Sequence, residues 1–151
     1  LKRGGEAYFG LLHIYEGHEL VRCKDKDAAL DQRSLILWDS TRPVEFKLEA
    51  ALKKVTLLVP QDRLRARIPE VDSFVGEKID ISSGLGAVMA SHIATLGREA
   101  YVIEKGCGES VVDLTMELIA TCLLARQYRP MTKARKDLLS DIRTYHRRQS
   151  G

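Results

Sequence analysis

Between residues 44 and 48 the chain alternates strictly: Val44, Phe46 and Leu48 share one parity, Glu45 and Lys47 the other. A period of two marks a strand with one face buried and the other wet. Apolar runs of similar length recur through the first 60 residues, at 7–15 (AYFGLLHIY), 20–24 (LVRCK), 34–39 (SLILWD) and 53–60 (KKVTLLVP). Between them lie turn formers: EGHE after Tyr15, the polar, turn-like stretch KDKDAALDQR, and the corner Asp39-Ser40-Thr41-Arg42-Pro43. Short strands at this spacing predict an antiparallel sandwich or barrel. Pro60 ends the last strand, and DRLRARI (62–68) has room for a helical turn or two before Pro69.

From residue 82 the period lengthens. Leu85, Val88, Met89, His92, Ile93 and Leu96 recur at three and four, the stripe of an amphipathic helix capped by Ser82 or Ser83 and closed by Gly97. A second helix opens at Ser110, with Asp113 in capping-box spacing, and runs to about Tyr128 before Pro130. A third starts at Thr132, with Leu138, Ile142 and Tyr145 on one face. Strands first and helices afterwards predict an α+β fold, an antiparallel barrel or sandwich followed by two to three helices.

The second helix carries two apolar stripes. Val111, Leu114, Leu118 and Ala125 form one; Val112, Met116, Ile119 and Leu123 form the other. A helix apolar nearly all round is buried on more than one side. One stripe can pack on the β body. The other most simply packs on a second copy of the chain, which makes Val111, Leu114, Leu118 and Ala125 the expected homodimer interface. A central helix wrapped entirely by its own chain is the alternative.

Composition narrows the class. A chain of 151 residues with 44% hydrophobic and 30% charged residues suits one soluble globular domain, or one such domain with a short appendage. No apolar run approaches the ~18 residues that span a bilayer, and no signal-peptide pattern opens the chain, so no membrane partner is expected. Three cysteines without metal-ligand spacing (Cys23, Cys107, Cys122) fit a reducing cytoplasm. The formal charge of +3 is uneven: residues 1–125 hold 16 Lys/Arg against 19 Asp/Glu, and residues 126–151 hold 8 against 2. A basic end on a mildly acidic body points toward a polyanion or a following basic module, or is simply a solvated helix face.

Catalytic chemistry is not visible. The four histidines (His13, His18, His92, His146) lack the paired spacing of a zinc or iron site, so neither a metal nor a cofactor is expected. Gly84-Leu85-Gly86 lacks the preceding strand and third glycine of a phosphate loop. No Ser/His/Asp or Cys/His set stands out.

The segments SLILWDSTRPVEF, KKVTLLVPQDRLRARIP and ISSGLGAVMASHIATL, in that order, resemble the amino-terminal regulatory domain of AraC/XylS-type transcriptional regulators. The resemblance covers roughly residues 7–148, and DLLSDIRTYHRR (137–148) looks like the first helix of that family's DNA-binding domain. It implies a cupin-like β regulatory domain over 1–81, a helical dimerisation region over 82–129, and a basic helix, linker or start of a DNA-binding domain over 130–151. The function implied is a cytoplasmic, dimerising sensor of a small-molecule effector that meets DNA only through a helix-turn-helix domain beyond these residues. The family's first strands should precede Leu1, so the barrel is expected to be incomplete and the chain a fragment. A cupin-like enzyme with an unusual or absent metal site is the alternative. Ligands of such barrels bind in the mouth, which makes Tyr8, His13, Tyr15, Arg22, Trp38 and Phe46 the pocket candidates. Asp39, Arg42 and Pro43 form the structural corner: Asp39 accepts backbone N–H bonds and Pro43 fixes φ for the next strand. Arg42 or Trp38 lining the pocket is the other reading of that corner.

Overall fold

A computed structural model of the chain describes residues 6–48 and 51–127, apart from the side chains of 101, 104–107 and 127. Seven strands form two antiparallel sheets: β1 (Tyr8–Glu16), β2 (Glu19–Cys23), β3 (Lys26–Leu30), β4 (Ser34–Asp39), β5 (Val44–Leu48), β6 (Lys53–Pro60) and β7 (Lys78–Asp80). One sheet has the order β6-β1-β4-β7 and the other β3-β2-β5. Helix α1 (Gln61–Arg67), a 3-10 turn (Val71–Phe74) and the long helical element α2 (Gly84–Gln127) complete the described chain. The α+β order expected from the sequence holds. The third expected helix and the basic end from residue 128 lie outside the described residues.

Strand parity builds three layers. Leu12, Ile14 and Ile36 from the four-stranded sheet meet Val21, Cys23, Ala28 and Leu30 from the three-stranded sheet. The opposite face of the four-stranded sheet presents Phe9, Leu11, Leu35, Leu37, Val59 and Ile79 to α1, the 3-10 turn and α2. That sheet is therefore buried on both sides, which explains why AYFGLLHIY and SLILWD are nearly continuous apolar runs rather than alternating ones.

KDKDAALDQR is not merely a turn, because it contains β3. Lys24 and Asp25 have φ of 51° and 62°, the left-handed pair that closes a two-residue hairpin between Cys23 and Lys26. Neither residue is the Asn or Gly that usually announces such a turn. Ala28 and Leu30 alternate inward on what is an edge strand, where outward charges are common. Because Lys24 Nζ also bonds the carbonyl of Asp72 at 2.8 Å, the replaceable residue is Asp25. Asp25→Gly should relieve the positive φ and raise stability by about 0.5–1 kcal/mol, read as a higher urea midpoint with unchanged slope; a lower midpoint contradicts the turn assignment.

The first helix does not end at Gly97. Helical backbone continues from Gly84 to Gln127, yet the element cannot be one rod. Twenty-three residues of straight helix span about 35 Å, whereas His92 Nε2 lies 2.7 Å from Thr115 Oγ1. Cys122 Sγ likewise reaches the carbonyl of Leu85 at 3.4 Å. Both pairs are centred between residues 103 and 104, so α2 is a helical hairpin that reverses there, close to the weak helix formers Gly106 and Gly108. The helix runs through Gly97 beside the sheet, where a Cβ would make only ordinary contacts, with Val55 Cγ2 at 3.7 Å and the Tyr15 hydroxyl at 3.8 Å. The Ser82 hydroxyl and backbone N–H turn back to Asp80 Oδ1, at 2.6 and 2.8 Å, so that hydroxyl is not directed to the helix start.

Candidate functional site

Side chains of the edge strands β5 and β6 meet at one margin of the layer between the two sheets, the inter-sheet cleft. Trp38, on the inner face of β4, lies against Gly10, where a Cβ would come within 2.2 Å of the indole. Its ring meets Phe46 edge-on at 5.6 Å. Lys54 reaches across from β6, with Nζ 4.7 Å from the centre of the Phe46 ring and 2.9 Å from Glu19 Oε1. Glu19 is only 2% exposed, so Lys54 neutralises a carboxylate that water barely reaches. Phe46, Leu48 and Leu58 form an exposed apolar rim. The Trp38 Nε1–H is buried without a hydrogen-bond partner among the described residues. An indole N–H can only donate, so this layer holds one donor available to a ligand's acceptor.

Of the six pocket candidates read from the sequence, Trp38 and Phe46 come together in this cleft. Tyr8 stands at its end, its hydroxyl bonded to Glu6 and its N–H to Ser40 Oγ. His13 and Tyr15 belong to the other face of the same sheet. His13 pairs with Leu35 and Val55, and its ring meets Tyr15 at 4.8 Å. Arg22 alternates with the buried Val21 and Cys23, pointing to solvent, where Asp27 holds its Nε at 2.7 Å. Sequence reasoning missed Gly10, Glu19, Lys54 and Leu58. The parity of Glu19 with Val21 and Cys23 was the available signal for a buried carboxylate.

The Asp39 corner is tied to α1. Asp39 Oδ1 accepts from the Thr41 N–H (2.8 Å), the Thr41 hydroxyl (2.6 Å) and Gln61 Nε2 (2.6 Å), while Arg42 Nε stands 3.5 Å from Oδ2. Burial pushes this carboxyl up, but the bonds from Thr41 and Gln61 and the Arg42 charge outweigh it and hold the group below the usual carboxylate range. Gln61, itself buried, also donates to the Tyr8 carbonyl at 3.0 Å, fastening the start of α1 to β1 and β4.

His92 joins the limbs of the hairpin. The Thr115 hydroxyl donates to the Val111 carbonyl at 2.8 Å and so must accept from His92 Nε2, which therefore carries the proton. Burial lowers the pKa of both His92 and His13 from the ordinary 6.5. His13 is 7% exposed, and its Nδ1 has no partner among the described residues. Because their folded values lie below the unfolded one, their neutral forms stabilise the fold fully above pH 6.5. That contribution is lost as pH falls through the window beneath it. The urea midpoint should therefore drop between about pH 7.5 and about pH 5, and His13→Phe should reduce the drop. Equal pH sensitivity in the variant refutes the role of His13.

Elsewhere, burial raises the thiols of Cys23 and Cys122, which keeps them protonated and poor nucleophiles. Among the described residues no group of three or more His, Cys, Asp or Glu side chains could hold a metal, and no helix is long and apolar enough to cross a membrane.

Residues 2–124 match the AraC-binding-like domain family. The chain belongs to that family. A solved structure, the AraC-like transcriptional activator CuxR, has a similar fold, with a TM-score of 0.66 at 11% identity over 78% of this chain. The chain spans 42% of that activator's length. No curated protein matches it. This AraC-type amino-terminal binding domain thus combines a two-sheet β body with a helical hairpin docked on one sheet.

Proposed function

We propose that the chain is the effector-sensing and dimerising part of a cytoplasmic AraC-type transcription regulator that meets DNA through a separate helix-turn-helix domain. Its organisation follows: a cupin-like sensing domain over 1–81, a dimerisation region over 82–129, and a link toward the DNA-binding domain over 130–151. The observation that carries this reading is the outer face of the hairpin. Met116, Ile119 and Leu123 are buried in the core, while Leu114 on the same limb is 66% exposed and Ala125 is exposed. Val111 and Leu118 lie half-buried beside them, and the other limb adds exposed Leu85 and Val88. A two-fold axis through such a stripe makes an isologous four-helix contact. The effector, in this reading, enters the inter-sheet cleft at Trp38 and Phe46. Sedimentation equilibrium tests the assembly: a dimer at micromolar concentration supports it, and a monomer throughout that range removes its basis.

A further inference from the structure

A cavity of about 980 Å³ lies along the edge strand β6, between that strand and the tip of the hairpin. Val55, Leu57 and Val59 line the strand side, and Ile93, Ala100 and Val112 are among the apolar residues of both limbs that close it. This is a half-open groove, and its size is that of small-molecule sites. Its charged side chains, Arg63 and Glu109, already pair with each other. Arg63, at the end where α1 leaves β6, is held by Asp113 and, at 3.7 Å, by Glu109 of the second limb. Of its polar groups, Thr115 and Tyr8 are likewise engaged, by His92 with the Val111 carbonyl and by Glu6, while the small hydroxyls of Thr56 and Ser110 complete the lining. A charged ligand would have to break the Arg63 pairs to be neutralised there. An uncharged apolar molecule would not.

We infer that this cavity binds an uncharged apolar small molecule, aromatic or aliphatic, as a regulatory ligand distinct from any occupant of the inter-sheet cleft. The location gives it leverage. Its walls are the sheet edge on one side and both limbs of α2 on the other, so an occupant sets how closely the hairpin tip approaches the sheet. The second limb also presents Leu114 outward, so the regulatory part of the inference rests on the dimerising role proposed above.

Gly97 supplies the test, since it lines the cavity and has space for a side chain directed at Val55 and Tyr15. The uncharged fluorophore N-phenyl-1-naphthylamine, titrated into the full chain, should bind saturably with one site per chain. Gly97→Phe should weaken that binding about tenfold or more, while Gly97→Ala and Trp38→Phe leave it within about twofold. Ala100→Phe, another filler of the same cavity, carries the same expectation should Gly97→Phe lose its helical circular dichroism. Bound probe should also shift the dimer constant by about threefold or more in sedimentation. Absence of saturable binding, retention of binding in a folded Phe variant, loss in Trp38→Phe, or an unshifted dimer constant would each overturn the inference. A chain that binds the probe as expected but never dimerises leaves the cavity standing and fails the regulatory reading instead.

Discussion

Leu114→Asp should convert a dimer into a monomer without unfolding the chain. Leu114 is 66% exposed, so a charge there costs the isolated chain little. Across a two-fold seam the same side chain is buried twice. Losing ~1.5–3 kcal/mol of leucine burial per copy, and placing carboxylates in an apolar contact, should raise the dissociation constant by at least ~10²-fold. The control is two residues away. Met116 is fully buried in the core shared by the four-stranded sheet and the helices, so Met116→Asp should abolish cooperative unfolding altogether. Sedimentation and circular dichroism on the pair separate assembly from folding. If Leu114→Asp remains dimeric, the seam lies elsewhere. If both variants unfold, the two faces of the limb are not energetically distinct.

That two-faced character was legible as two apolar stripes, but the hairpin that separates them was not. Periodicity places residues around a helix axis and contains no term for a reversal. Gly97 was expected to stop the helix, because mid-helix glycine is unfavourable; in the fold the helix runs through it, with room for a side chain beside Val55 and Tyr15. The strands at 34–39, 44–48 and 53–60 were legible to the residue, since each is bounded by a turn or proline. By contrast β3 follows a Lys-Asp turn with positive φ and no glycine, and β7 is only three residues long, too short for any period to register. The cleft was half legible. Trp38 and Phe46 stand out as large aromatics on short strands, whereas Lys54 and Glu19 are 35 positions apart and meet only through the packing of two sheets. His13 and Tyr15 were assigned to the barrel mouth because a strand buried on both faces gives no indication of which parity faces which layer.

A single added methyl group should produce a large loss of stability. In Ser83-Gly84-Leu85-Gly86 the two glycines are required for different reasons. Gly84 has φ of +61° with nothing within 4 Å of a would-be Cβ, so Gly84→Ala meets only the left-handed backbone penalty, about 1 kcal/mol. At Gly86 the backbone is unexceptional and the space is not: a Cβ would lie 2.1 Å from the Asp80 carbonyl oxygen and 2.8 Å from Ile81 Cα. Both obstacles are main chain and cannot rotate away, so the first turn of α2 would have to lift from the end of β7. Gly86→Ala should then destabilise by roughly 3 kcal/mol or more, against a total of about 5–15 kcal/mol for a domain. Gly97→Ala completes the series with the opposite sign. Its Cβ would find ordinary contacts at 3.7 and 3.8 Å, and exchanging glycine for alanine inside a helix should add about 0.5–1 kcal/mol. Urea melts of the three variants should therefore rank Gly97→Ala above the parent, Gly84→Ala below it and Gly86→Ala far below. If Gly84→Ala proves the worst of the three, backbone conformation rather than helix-to-strand approach governs this junction.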